Sequence, residues 1–152
     1  MIINSVDLSN GLIIEIGKFA ILWNCFERDF FNYRCNPHKI INSYDNIYID
    51  RDKQHIFANV LNKRRLQFNF DIDEYVEEGL HPSNSNGSTP ESTKLMKKFI
   101  ECPSEDNRCG CLLIILKLRN NLMHGLKDIS ELDKQIELFQ AINLVLESIK
   151  RI

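Results

Sequence analysis

Six large apolar residues, spaced by alternating steps of four and three, fix what the first part of this chain can become. Leu12, Ile16, Phe19, Trp23, Phe26 and Phe30 fall on one face of a helix with a period near 3.6. The pattern predicts a helix from about Asp7 to Tyr33, with Pro37 closing the segment. Ile13 and Ala20 widen the face. Glu27 continues that second line, which puts it at the edge of the buried stripe. A helix with so broad an apolar face needs other helices to bury it.

The rest of the sequence supplies them. A second helix is expected from Asp52 to Gln67, with Ile56, Phe57, Val60 and Leu61 inward. A short one follows from Asp71 to Glu78 and is ended by Gly79. The stretch from about 80 to 90 is rich in Ser, Asn, Gly and Pro and reads as an exposed loop. Thr89 then caps a helix with Pro90 at its first position, running through Ile100. Ser104 is the expected cap of the next helix, with Glu105 and Asp106 in its first turn. That helix is apolar nearly all round over Leu112 to Leu118 and should stop at Gly125. Such a helix lies in the middle of a bundle or at a subunit interface. The last helix is expected from Ser130 to the C-terminus, its face made of Leu132, Ile136, Phe139, Ile142, Val145, Leu146 and Ile149. The alternating stretch Asn46 to Asp50 is too short to found a sheet. The expected fold is all-α, an up-and-down helical bundle of four to five main helices in a single domain over residues 1–152.

Charge and cysteine content narrow the function classes. A net charge of −2 argues against a basic coat for non-specific nucleic-acid binding. It leaves room for a local basic pocket, since a field depends on where charges sit. The longest apolar run, Cys111 to Leu116, falls well short of the roughly 20 residues that span a bilayer. No basic segment followed by a long apolar one opens the chain, so a soluble, cytoplasmic protein with no membrane partner is expected. Cys25, Cys35, Cys102, Cys109 and Cys111 form an odd set, read as reduced thiols. Cys102, Cys109 and Cys111 lack zinc-ligand spacing and a fourth ligand, so buried or incidental thiols are the favoured reading and no metal or other cofactor is called for.

Chemistry concentrates in Leu118-Arg-Asn-Asn-Leu-Met-His-Gly125. Leu112, Ile115, Arg119 and Leu122 share one stripe, so Arg119 stands where an apolar residue belongs. A guanidinium there cannot lose its charge and needs a carboxylate, backbone carbonyls or a bound anion. Glu27 is the first carboxylate to consider. Asn120 and His124 are one turn apart, so the amide could orient the imidazole. Arg119 and His124 are five apart, roughly 140° around an ideal helix. They converge only if the helix unwinds near Gly125, or if two copies face each other across a two-fold axis. RNA cleavage suits such a set: an imidazole moves the 2′-OH proton and an arginine steadies the phosphate, without a metal. A symmetric pair of sites would bring two histidines, one as base and one as acid. Spacing alone favours a plainer reading, in which basic residues face the negative end of the helix dipole.

Arg119-Asn-Asn-Leu-Met-His124 resembles the motif of the HEPN (higher eukaryotes and prokaryotes nucleotide-binding) superfamily: Arg, four to six residues, then His, commonly with a polar residue after the Arg. Gly125 and a long closing helix also fit, and the match covers about Cys111 to Lys150. The resemblance implies a helical bundle that dimerises. It implies a metal-independent endoribonuclease of a toxin–antitoxin or phage-defence system, with RNA as substrate and an antitoxin protein as a possible partner. By position, Arg119 and His124 would be catalytic and Asn120 supporting. Some members of the superfamily are instead inactive modules that bind nucleotide, RNA or protein.

Other features have plainer explanations. Lys63-Arg64-Arg65 and Lys94 with Lys97-Lys98 could track an RNA backbone, but a solvated helix face is the favoured reading. The acidic run of Asp71, Asp73, Glu74, Glu77 and Glu78 is open to a basic antitoxin or simply to solvent. Trp23 and the phenylalanines read as core. His38, His55 and His81 read as surface residues.

Overall fold

The computed structural model describes residues 2–3, 6–79, 89–124 and 135–152. It is an all-α helical bundle. Its long helices are α1 (Asn10–Phe31), α3 (Arg51–Gln67), α5 (Pro90–Glu101), α6 (Arg108–His124) and α7 (Ile136–Ser148); α2 (Pro37–Ser43) and α4 (Ile72–Glu74) are short. None of the described helices is long and apolar enough to cross a membrane.

Local chemistry sets each boundary. Ser9 caps α1, its hydroxyl accepting from the Leu12 N–H at 3.2 Å. The helix ends where Asn32 and Tyr33 take left-handed backbone (φ 50° and 65°), two residues earlier than the periodicity indicates. Pro37 does not merely close this segment. Asn36 caps a new helix, accepting from the Lys39 N–H at 2.9 Å, and Pro37 is its first residue. Asp50 caps α3 in the same way, and Asp71 caps α4. The helix expected over Asp71 to Glu78 divides into α4 and a π-helical turn, Tyr75–Gly79. Most of the exposed loop expected at about 80–90, His81 included, lies outside the described residues. Thr89 and Pro90 open α5 as expected, with Ser92 completing a capping box.

Helix α6 starts later than Ser104 predicts. Its cap is Asn107, whose Oδ1 accepts from the Gly110 N–H at 3.0 Å. Ser104 instead offers its carbonyl to Arg51 at 2.7 Å. The buried Gln54 holds this start in place. Its amide donates to Asp106 Oδ1 at 2.9 Å and to the Ile49 carbonyl at 3.1 Å, while its Oε1 accepts from the Asn107 N–H at 3.0 Å.

The far end differs from expectation too. Ser130 and Leu132 lie outside the described residues. After α7 the chain turns extended at Ile149 and does not stay helical to its end. Strand β1 (Ile2–Ile3) pairs antiparallel with β2 (Val6–Asp7), and β3 (Ile47–Tyr48) with β4 (Lys150–Arg151). The alternating 46–50 stretch thus does pair, as a two-residue ribbon.

In the core, α7 packs between α1 and α3, while α6 packs against α5 and α2. Phe19 meets Phe139 and Phe57 meets Phe99, each pair with ring centroids 5.7 Å apart. The first helix buries Leu12, Phe19, Trp23 and Phe26 as its period requires, although Ala20 is exposed. In α3, Phe57, Val60 and Leu61 are buried but Ile56 is 41% exposed. The buried arc centres on Gln54, Phe57, Ala58 and Leu61, and Ile56 lies about 200° around from Gln54. Every residue of α6 from Cys109 to Lys117 is buried. Here α6 and α5 touch at Gly110. A Cβ there would run into the Leu95 carbonyl oxygen and would sit 2.9 Å from Phe99 Cβ.

This contact makes a prediction. Gly110→Ala should lower stability by about 1–3 kcal/mol in urea unfolding, because α5 must move away. Gly17→Ala, at an open helical position, should raise it by up to about 1 kcal/mol. Equal stability of the two variants would rule out the close approach of α5 to α6.

Candidate active site

The last turns of α6 leave the core gradually. Leu112 and Ile115 are fully buried, Leu122 is partly buried, and Arg119 is half-buried on the same line. The arginine therefore interrupts an apolar stripe, as the sequence indicates. Its Nη1 donates to Asn120 Oδ1 at 3.0 Å. The structure thus brings two of the three site residues together.

Glu27 does not serve as the partner of Arg119. Its Oε2 accepts from the Cys35 backbone N–H at 3.2 Å, and no ion pair joins it to Arg119. Both groups nevertheless flank Cys35. Burial pushes the Cys35 thiol up to about 12, with Glu27 adding to the rise, while Arg119 and Lys39 pull the other way. Glu27, Cys35 and Arg119 therefore share one corner between the end of α1, the start of α2 and the end of α6. Periodicity missed the α2 side of this corner because α2 is only two turns long. The available signal was Asn36-Pro37, a cap followed by a first-position proline.

His124 closes α6 with its backbone; its side chain, like Gly125, lies outside the described residues. The helix stays intact through His124. The positions of Arg119 and His124 are therefore about 140° apart around the helix axis, with no unwinding of the backbone between them. Asn120 Oδ1 accepts from Arg119, which leaves one lone pair on that oxygen and the amide N–H groups for other partners.

The other clusters are mostly occupied within the fold. Lys97 pairs with Asp73 at 2.9 Å and Glu77 at 3.3 Å, so one basic cluster meets the acidic run. Lys63 pairs with Glu137 at 3.1 Å, and Arg65 donates to Asn62 and to the Phe70 carbonyl. His38 and His55 are exposed. Cys109 and Cys111 are buried, and burial pushes the Cys109 thiol to about 11 and raises that of Cys111 as well. Among the described residues no group of three or more His, Cys, Asp or Glu is placed to hold a metal ion. No family model, curated protein or solved structure matches the chain.

The buried thiols give a pH dependence with a definite sign. Their folded pKa values lie above the ordinary 9.0, so above pH 9 the unfolded chain releases protons that the folded chain keeps. Their contribution is intact below pH 9 and is lost as pH rises toward 12. Each such thiol adds a slope of at most about 1.4 kcal/mol per pH unit. Urea midpoints should fall between pH 8.5 and 10.5, and Cys35→Ala should flatten the fall. The same slope in wild type and variant would show that Cys35 is not held protonated.

Proposed function

We propose that this chain is a metal-independent endoribonuclease of a prokaryotic toxin–antitoxin or phage-defence system, acting in the cytoplasm as a homodimer. The observation that carries the proposal is Arg119. It is a half-buried guanidinium on an apolar stripe, bonded to Asn120, with no carboxylate within 4 Å among the described residues. Such a group is well placed to take a phosphate by two parallel bonds.

In the proposed reaction the ribose 2′-oxygen attacks the adjacent phosphorus, and the bond to the 5′-oxygen breaks. The 2′-OH proton leaves to a base, and a proton is returned to the 5′-oxygen. His124 is the candidate for this acid and base work. Arg119 stabilises the charge that builds on the phosphoryl oxygens. Asn120 holds the guanidinium in place. The regular end of α6 argues for a two-fold arrangement, in which Arg119 of one chain works with His124 of the partner subunit. A protein antitoxin that covers this end of α6 would silence it.

One observation favours a second reading, a non-catalytic module that binds nucleotide, RNA or a partner protein. The side-chain oxygen of Asn120 accepts from Arg119. That arrangement suits anion binding without proton transfer.

Cleavage of RNA in EDTA separates the readings. Wild type should cut. Arg119→Ala should lose about 100- to 1,000-fold, and His124→Ala about 100- to 10,000-fold, with helical content unchanged. Mixing the two variants should restore part of the activity, because each mixed dimer keeps one intact Arg–His pair. Full activity in both single variants would eliminate the site. Binding of RNA without cleavage by wild type would establish the second reading.

A further inference from the structure

Lys117 lies two residues before Arg119, about 200° around α6, and so serves a different side of the bundle. It is only 6% exposed. Its Nζ donates to the Val76 carbonyl in the π-helical turn at 2.9 Å. Among the described residues no carboxylate pairs with it within 4 Å; Glu77 acts on it only at longer range, while burial weakens its hold on the proton. A buried ammonium satisfied by one carbonyl has donors left over.

Beside it opens a cleft of about 510 Å³, within the usual range for small-molecule sites. Lys117 forms part of its wall. Thr93, Lys94 and Lys97 line it from the first two turns of α5, together with the cap Thr89 and with Glu77 of the π-helical turn. Three ammonium groups stand against one carboxylate, and that carboxylate already holds Lys97. The positive end of the α5 dipole points the same way. The lining is therefore net cationic and partly desolvated, which strengthens its pull on an anion. Glu77 in the lining, and Asp73 paired with Lys97, disfavour a long polyanion such as an RNA strand.

We propose that this cleft binds a small organic anion bearing a phosphate or carboxylate head, with Lys117 and Lys94 as its charge partners, independently of the Arg119 site.

Thermal melting at constant ionic strength, with inorganic phosphate in one arm and citrate in the other, tests it. Wild type and Arg119→Ala should show a saturable rise in Tm with at least one anion, and the responding arm names the head group. Lys94→Glu, at an exposed position, should weaken the apparent affinity at least tenfold. Lys117→Met keeps the stem, removes the buried charge and should show no saturable response. A rise of equal size in every variant would be a general salt effect and would overturn the proposal, as would no response to either anion. So would tight binding of an RNA oligonucleotide that Lys94→Glu abolishes while phosphate and citrate do nothing. If Lys117→Met fails to fold, Lys94→Glu decides alone.

Discussion

Both candidate sites depend on one helix that is buried on all sides. From Cys109 to Lys117, α6 has no face turned to solvent. A helix in that position cannot slide or roll without opening several interfaces at once. Its register is set at the start. Gln54 fixes Asn107, Asn107 caps the first turn, and Gly110 lets α5 approach closely. Those contacts are far from the candidate active site, yet they decide where each side chain of the last two turns emerges.

Placement of charge on this rod is the second constraint. A guanidinium and an ammonium leave the same helix two residues apart, on different sides, at the depth where apolar packing gives out. Each needs a partner that the helix cannot supply. Arg119 turns to its neighbour Asn120, and Lys117 to a carbonyl of the π-helical turn. Neither takes a carboxylate from the described residues, although Glu27 and Glu77 stand close by. Those carboxylates hold a backbone N–H and another lysine instead. Replacing both cations by apolar residues would make an easier core. Their presence at half-satisfied positions is the strongest physical reason to look for anions on both sides of α6.

The sequence makes the main helices legible because their apolar periods are long and clean, as in Leu12 to Phe26. It makes Arg119 legible because one charged residue breaks a stripe. What it hides depends on contacts between distant segments. Ser104 looks like a cap, but Gln54, more than fifty residues away, selects Asn107. Pro37 looks like a stop, but Asn36 makes it a start. Ile149 continues an apolar face, yet the pairing of Lys150–Arg151 with Ile47–Tyr48 pulls the chain out of the helix. The Cys35 corner and the Lys117 cleft are hidden for the same reason: each joins residues from three separate elements. The α5 lysines that line the cleft show in the sequence only as a short basic cluster, which reads there as a solvated helix face.

The intact end of α6 sharpens what the motif can mean. Arg119 and His124, five positions apart on a regular helix, fall about 140° apart around its axis. A single copy therefore does not place the two positions on one face. Two copies related by a two-fold axis that crosses near this turn would reverse the disadvantage, because the face carrying His124 in one is opposed to the face carrying Arg119 in the other. On this argument dimerisation is part of the proposed chemistry. The buried rod supplies the rigidity that two such half-sites need in order to meet in register.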